Sequence, residues 1–119
     1  GNYDESIWAE DFDMNLRISE KYKVGFINKF LSYYRVEISK PDKNLSFKTI
    51  YSHKKSLAKF KHSVYYKTAL KNWHYKCFRW YSPYVSGKKI AFIGMINNID
   101  KIFTREFLIF LFVLIRKWK

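Results

Sequence analysis

The side chains best placed to do chemistry are the carboxylates near the start of the chain. Seven of the ten Asp and Glu residues precede Ile38, among them Asp4-Glu5 and the run Glu10-Asp11-Phe12-Asp13. Carboxylates this dense suit proton transfer or the binding of a hard divalent cation. Acidic residues at a helix start also serve its dipole and its free amides, a role that Glu10 and Asp11 satisfy by themselves. Arg17 stands four residues after Asp13 and can pair with it on one helix face, whereas it is off the face of Asp11. Other chemistries are poorly supplied. His53, His62 and His74 stand nine and twelve residues apart and Cys77 is the only cysteine, so zinc-ligand spacing is absent. One cysteine also excludes an intrachain disulfide and agrees with a reducing compartment. No nucleophile motif surrounds Cys77, and the four glycines are scattered singly, so there is no Gly-rich phosphate loop.

Four pieces of the first third stand in a recognisable order. They are Gly1-Asn2-Tyr3-Asp4-Glu5, then Glu10-Asp11-Phe12-Asp13-Met14-Asn15-Leu16-Arg17, then Val24-Gly25-Phe26-Ile27, then Tyr33-Tyr34-Arg35-Val36-Glu37. Together they resemble the end of the catalytic domain in family 2 glycosyltransferases of the GT-A fold. In that family a G-x-aromatic-D-E turn leads into an E-D-x-D-L-x-L-R helix, and a strand and a Y-R-x-H strand end follow. The resemblance implies an inverting sugar transfer from a nucleotide sugar to a glycan or lipid-linked acceptor, in the assembly of a cell-surface polysaccharide. Such a reaction needs a base that removes the acceptor hydroxyl's proton as it attacks the anomeric carbon. By position in the motif Asp11 is that base, and Glu10 supports it by orienting the acceptor or holding the loop. Arg17 is implied to brace the substrate site, and Arg35 to face the donor phosphates. Glu37 replaces the family's His, and a carboxylate there can bind a divalent cation.

The same resemblance implies a nucleotide-binding half, with an Asp-x-Asp motif that holds Mg²⁺ or Mn²⁺, lying before Gly1. Asp11-Phe12-Asp13 has the letters of that motif but falls inside the base motif. This chain alone is therefore expected to be a fragment that binds no metal and transfers no sugar.

The elements that must position these residues follow from periodicity. Phe12 and Leu16, and Met14 and Ile18, are four apart, which predicts a helix from about Ala9 to Tyr22, acidic at its start and basic at its end. Val24–Ile27 and Phe30–Val36 read as two short strands rich in β-favouring residues. Ser39-Lys40-Pro41-Asp42-Lys43-Asn44 is a break. The expected fold is thus α/β over residues 1–38, which the resemblance implies is the closing part of a GT-A sheet, followed by a basic, mainly helical extension over 39–119. In the extension a helical region runs from about Leu45 to Arg79, broken at most once, with Leu57, Phe60 (or Lys61), Val64, Thr68 and Leu70–Trp73 as its approximate stripe. Lys88–Asn97 is short and apolar, of either type. Thr104–Lys119 reads as a last helix capped by Asp100 or Thr104.

Charge divides the chain at about the same place. Residues 1–37 hold 5 Lys/Arg against 7 Asp/Glu, and residues 38–119 hold 18 against 3. An excess of cations among aromatics suits a polyanion. Phe107–Ile115 is an unbroken apolar run flanked by Arg105 and by Arg116-Lys117-Trp118-Lys119, too short to span a bilayer. Phe107, Phe110, Phe112, Arg116 and Trp118 therefore suit an interfacial helix on an anionic membrane surface, and equally a buried helix in the protein's own core. The matching location is cytoplasmic, peripheral on the inner face of the cell membrane. The alternative function is a basic aromatic module that binds nucleic acid or a partner protein. Against nucleic acid stand the acidic first third and the absence of a recognised motif. Severed sheet edges would favour a homodimer.

Overall fold

The computed structural model describes residues 3–29 and 43–117. Five helices account for most of them: α1 (Glu10–Lys21), α2 (Lys43–Lys59), α3 (Tyr66–Tyr81), α4 (Lys88–Ile96) and α5 (Arg105–Arg116). Short 3-10 turns at Val85–Gly87 and Ile99–Lys101 introduce α4 and α5 respectively. The chain divides into two compact units, Gly1–Ser56 and Leu57–Lys119, with the division falling within α2.

The expected α/β fold is not what forms. Among the described residues there is no strand, and the architecture is helical. Val24–Ile27, the first expected strand, has no regular structure, and Val24, Phe26 and Ile27 are 71%, 90% and 61% exposed. β-favouring side chains make a strand only when a neighbouring strand takes the backbone hydrogen bonds and a core takes one face. Among the described residues this segment has neither. The second expected strand, Phe30–Val36, lies outside the described residues.

In the first unit α1 starts where Glu10, Asp11 and Asp13 meet the positive end of the helix dipole. It ends at Lys21, with the Tyr22 amide donating to the Ile18 carbonyl in the final turn. Two contacts tie its entry to α2. The Ala9 amide donates to the buried Ser52 hydroxyl at 2.8 Å. The Phe12 and His53 rings lie 4.3 Å apart.

In the second unit, the helical region expected from Leu45 to Arg79 is interrupted at residues 60–65. Consecutive turns there bond Phe60 to Leu57, Ser63 to Phe60, and Tyr66 to Ser63. Val64, expected on the apolar stripe, is 87% exposed as a result. α3 stops at Ser82-Pro83, where proline has no amide to continue the ladder. The short apolar segment of uncertain type is helix α4. Thr104 caps α5, its hydroxyl accepting from the Phe107 amide at 3.3 Å.

The core of the second unit is built from Cys77, Phe78 and Tyr81 of α3, Ala91 of α4, and Phe107 and Leu114 of α5. The Phe78 and Phe107 rings pack with centroids 4.9 Å apart, tilted at 47°. Polar groups lock the same surfaces. Buried Asn98 donates through Nδ2 to the carbonyls of Gly94 and Lys71, at 3.0 and 3.3 Å. Lys71 pairs with Asp100, and Arg79 with Glu106, each at 2.9 Å.

Gly94 sets how closely α3 and α4 approach. A Cβ there would collide with the His74 carbonyl oxygen and come within 2.8 Å of the Phe78 nitrogen, both backbone atoms of α3. No rotamer change relieves a clash with backbone. Gly94→Ala is therefore expected to cost about 1–3 kcal/mol of overpacking, although alanine is intrinsically the better helix former by about 1 kcal/mol. Gly25→Ala, with nothing within 4 Å, is expected to be neutral. Urea denaturation followed by circular dichroism compares the two.

Tyr75 adds a pH dependence to this unit. Its hydroxyl donates to Glu106 Oε2 at 3.0 Å. Burial first, then this hydrogen bond and the carboxylate's charge, raise its pKa above the usual value of 10.0. The neutral phenol is thus favoured more in the fold than in the unfolded chain. The stabilisation is complete below about pH 10 and is lost as pH rises through the higher folded value. Denaturation midpoints should fall in that alkaline window, and less steeply in Tyr75→Phe.

Candidate functional site

The segment before α1 is shaped by Asp4. Its carboxylate accepts from both the amide and the hydroxyl of Ser6, at 3.0 and 2.6 Å, and its carbonyl accepts from the Ile7 amide at 3.0 Å. This Asx turn reverses the chain. Ile7 and Ala9 are then buried as anchors, and Trp8 between them is turned outward, 56% exposed. The Lys48 ammonium of α2 lies 5.4 Å from the Trp8 ring centroid, a cation–π contact that steadies the indole.

The turn and the start of α1 enclose an open groove of about 580 Å³ lined by Tyr3, Asp4, Glu5, Ser6, Trp8 and Glu10. Two exposed aromatic rings and three carboxylates thus share one concave surface. Aromatic faces offer apolar contact to the C–H faces of a sugar ring, and carboxylates accept from its hydroxyls. Trp8 also borders a smaller groove of about 310 Å³ with Phe47, Lys48 and Tyr51 of α2.

Of the residues expected to carry chemistry, Glu10 lines the first groove. Asp11 follows it in the first turn and is exposed, with Oδ1 accepting from the Phe12 amide at 2.7 Å. It does not line the groove but stands one residue beyond it. Asp13 points the other way, fully buried, and Arg17 Nε meets its Oδ2 at 3.1 Å. An ion pair one helical turn long therefore secures the inner side of α1 beneath the exposed acids. Asp11 and Asp13, two residues apart on a helix, face opposite sides and cannot share one cation. No group of three or more His, Cys, Asp or Glu side chains able to hold a metal ion occurs among the described residues. Arg35 and Glu37 lie outside them.

The residues proposed for membrane contact are divided by α5. Phe107 is fully buried against Phe78, and Phe110 is half-buried, 6.1 Å from the Phe78 ring. Phe112 and Arg116 are exposed, and Trp118 lies outside the described residues. Among the described residues no helix is long and apolar enough to cross a membrane.

The aromatic groove was not evident from the sequence. Its local signal is the pair Tyr3 and Trp8, which brackets Asp4-Glu5 in a segment too short to bury both rings.

No protein-family model matches the chain, and comparison with curated proteins and with solved structures returns no similar protein.

Proposed function

We propose that this chain carries the acceptor-activating segment of an inverting glycosyltransferase that acts on a glycan or lipid-linked acceptor. The observation that supports this reading is the groove in which Tyr3 and Trp8 stand beside Asp4, Glu5 and Glu10, directly before Asp11. An acceptor sugar would lie on the aromatic rings, its hydroxyls held by Glu5 and Glu10. Asp11 would take the proton of the attacking hydroxyl as that oxygen bonds to the donor's anomeric carbon. The bond from that carbon to the diphosphate oxygen breaks, and the nucleoside diphosphate leaves with its electron pair, inverting the configuration. The Asp13–Arg17 pair keeps α1 in place while Asp11 changes protonation state. Mg²⁺ or Mn²⁺ in the intact enzyme would neutralise the leaving diphosphate, and the donor would bind outside this chain.

The test separates binding from turnover. Saturation-transfer NMR with oligosaccharide acceptors should show sugar protons in contact with aromatic side chains, and Trp8→Ala should abolish the transfer. Labelled UDP- or GDP-sugars should give no product with this chain alone. Absence of any saccharide contact, or turnover by the isolated chain, would overturn the reading.

A further inference from the structure

The outward face of α5 is as apolar as the face it buries. Phe107 and Leu114 point into the core at 0% and 2% exposure, whereas Leu108, Ile109, Phe112 and Ile115 are all at least half exposed. Phe103, in the turn just before α5, is 94% exposed. With Leu108, Ile109 and Phe112 it borders an open apolar depression of about 500 Å³. Ordinary folding does not leave so many large apolar side chains in water along one helix.

The charges around this face identify what covers it. Helical spacing puts Arg105 and Arg116 on the same side as Phe112, one at each end of the apolar stripe. Both are exposed, as is Lys117, and no carboxylate among the described residues pairs with any of the three. From Leu57 to Lys119 the sequence holds 13 Lys/Arg and only 2 Asp/Glu. Both acids, Asp100 and Glu106, are already bound in ion pairs. The unit thus carries a large excess of positive charge, and the apolar outward face of α5 is bracketed by guanidinium groups.

We infer that α5 docks flat on an anionic lipid bilayer, with Phe103, Leu108, Phe112 and Ile115 in the acyl boundary and Arg105, Arg116 and Lys117 on the phosphates. α5 has 12 residues and is about 18 Å long, so it lies in the interface and does not cross it. Arginine stems bury beside the apolar stripe while their heads reach the headgroups. The opposite face is held to α3 through Phe107 and Phe110, so docking leaves the core intact. This surface lies in a different unit from the sugar groove and does not rest on the sugar-transfer reading.

The test is sedimentation of the 119-residue chain with vesicles of phosphatidylcholine containing phosphatidylglycerol, and with phosphatidylcholine alone. Binding to the anionic vesicles is expected at low salt, with weakening as salt rises. Arg105→Gln and Arg116→Gln should each weaken it about fivefold. Phe112→Glu should weaken it at least about tenfold, the equivalent of one aromatic side chain no longer buried. Phe103→Ser lies outside the helix and cannot unfold it, so its loss of binding reads docking alone; circular dichroism checks that Phe112→Glu keeps its helices. No binding at low salt overturns the inference, as does equal binding to both vesicle types. So does binding that both phenylalanine variants leave unchanged. A chain that binds single-stranded oligonucleotide but not vesicles, or a dimer that Phe112→Glu dissociates and that ignores vesicles, would also overturn it by giving the face a different occupant.

Discussion

Asp11→Asn is expected, on the proposed sugar-transfer function, to lower turnover about 10²–10⁴-fold, the usual contribution of a positioned general base. Asparagine preserves size and can still receive the Phe12 amide through its carbonyl oxygen, so the start of α1 should hold. What disappears is the capacity to take a proton. Acceptor binding should survive, and the loss should appear in kcat with KM little changed. Glu10→Gln gives the contrast. Glu10 lines the groove, so its change should act mainly on KM for the acceptor. If Asp11→Asn were as active as the parent and Glu10→Gln inactive, the base would be Glu10 and the assignment by motif position would fall. Asp13→Asn is different again. It removes the charge of the buried carboxylate that Arg17 meets, so it should weaken the fold of the first unit before it affects chemistry.

The second large effect is structural. Phe78→Ala should cost about 3–5 kcal/mol, the range for truncating a buried aromatic residue. Phe78 is 0% exposed, packs against Phe107 at 4.9 Å and meets Phe110 at 6.1 Å, so it joins α3 to α5. Its backbone nitrogen and Cβ also border Gly94, the point where α4 comes closest. A cavity at that junction withdraws support from three helices at once. Domains of ordinary size hold only about 5–15 kcal/mol in total, so a unit this small should lose its cooperative thermal transition. Phe103→Ala, which removes the same ring from a 94% exposed position, should change stability by no more than about 0.5 kcal/mol. Differential scanning calorimetry on the pair tests whether burial, and not ring chemistry, sets the cost.

How far these features could be read from residues alone depended on how local they are. α1 and α5 announce themselves through acids at the start of one, a threonine cap on the other, and apolar residues at helical spacing. The end of α3 at Ser82-Pro83 is equally local. The break at residues 60–65 was harder, because Val64 continues the apolar spacing while the turns around Ser63 carry it into solvent. The sheet expected after α1 rested on β-favouring side chains at Val24–Ile27, which specify a strand only when a partner is supplied. The groove depends on contacts between residues far apart in sequence. Ala9 is fixed by Ser52, Phe12 by His53 and Trp8 by Lys48. No spacing rule relates these pairs. The two faces of α5 look alike in sequence, and only the position of Phe78 decides which of them becomes core.

The burial of Cys77 gives the second unit a built-in reporter. The thiol belongs to α3 at the centre of the core and is 0% exposed. A thiol reagent in solution can reach it only when the helices part. The pace of labelling therefore counts opening events directly, with no denaturant and no engineered probe. Because the sequence contains one cysteine, every labelled molecule reports the same site. A ligand or surface that binds the closed unit should slow that clock, even one that never touches the sulfur.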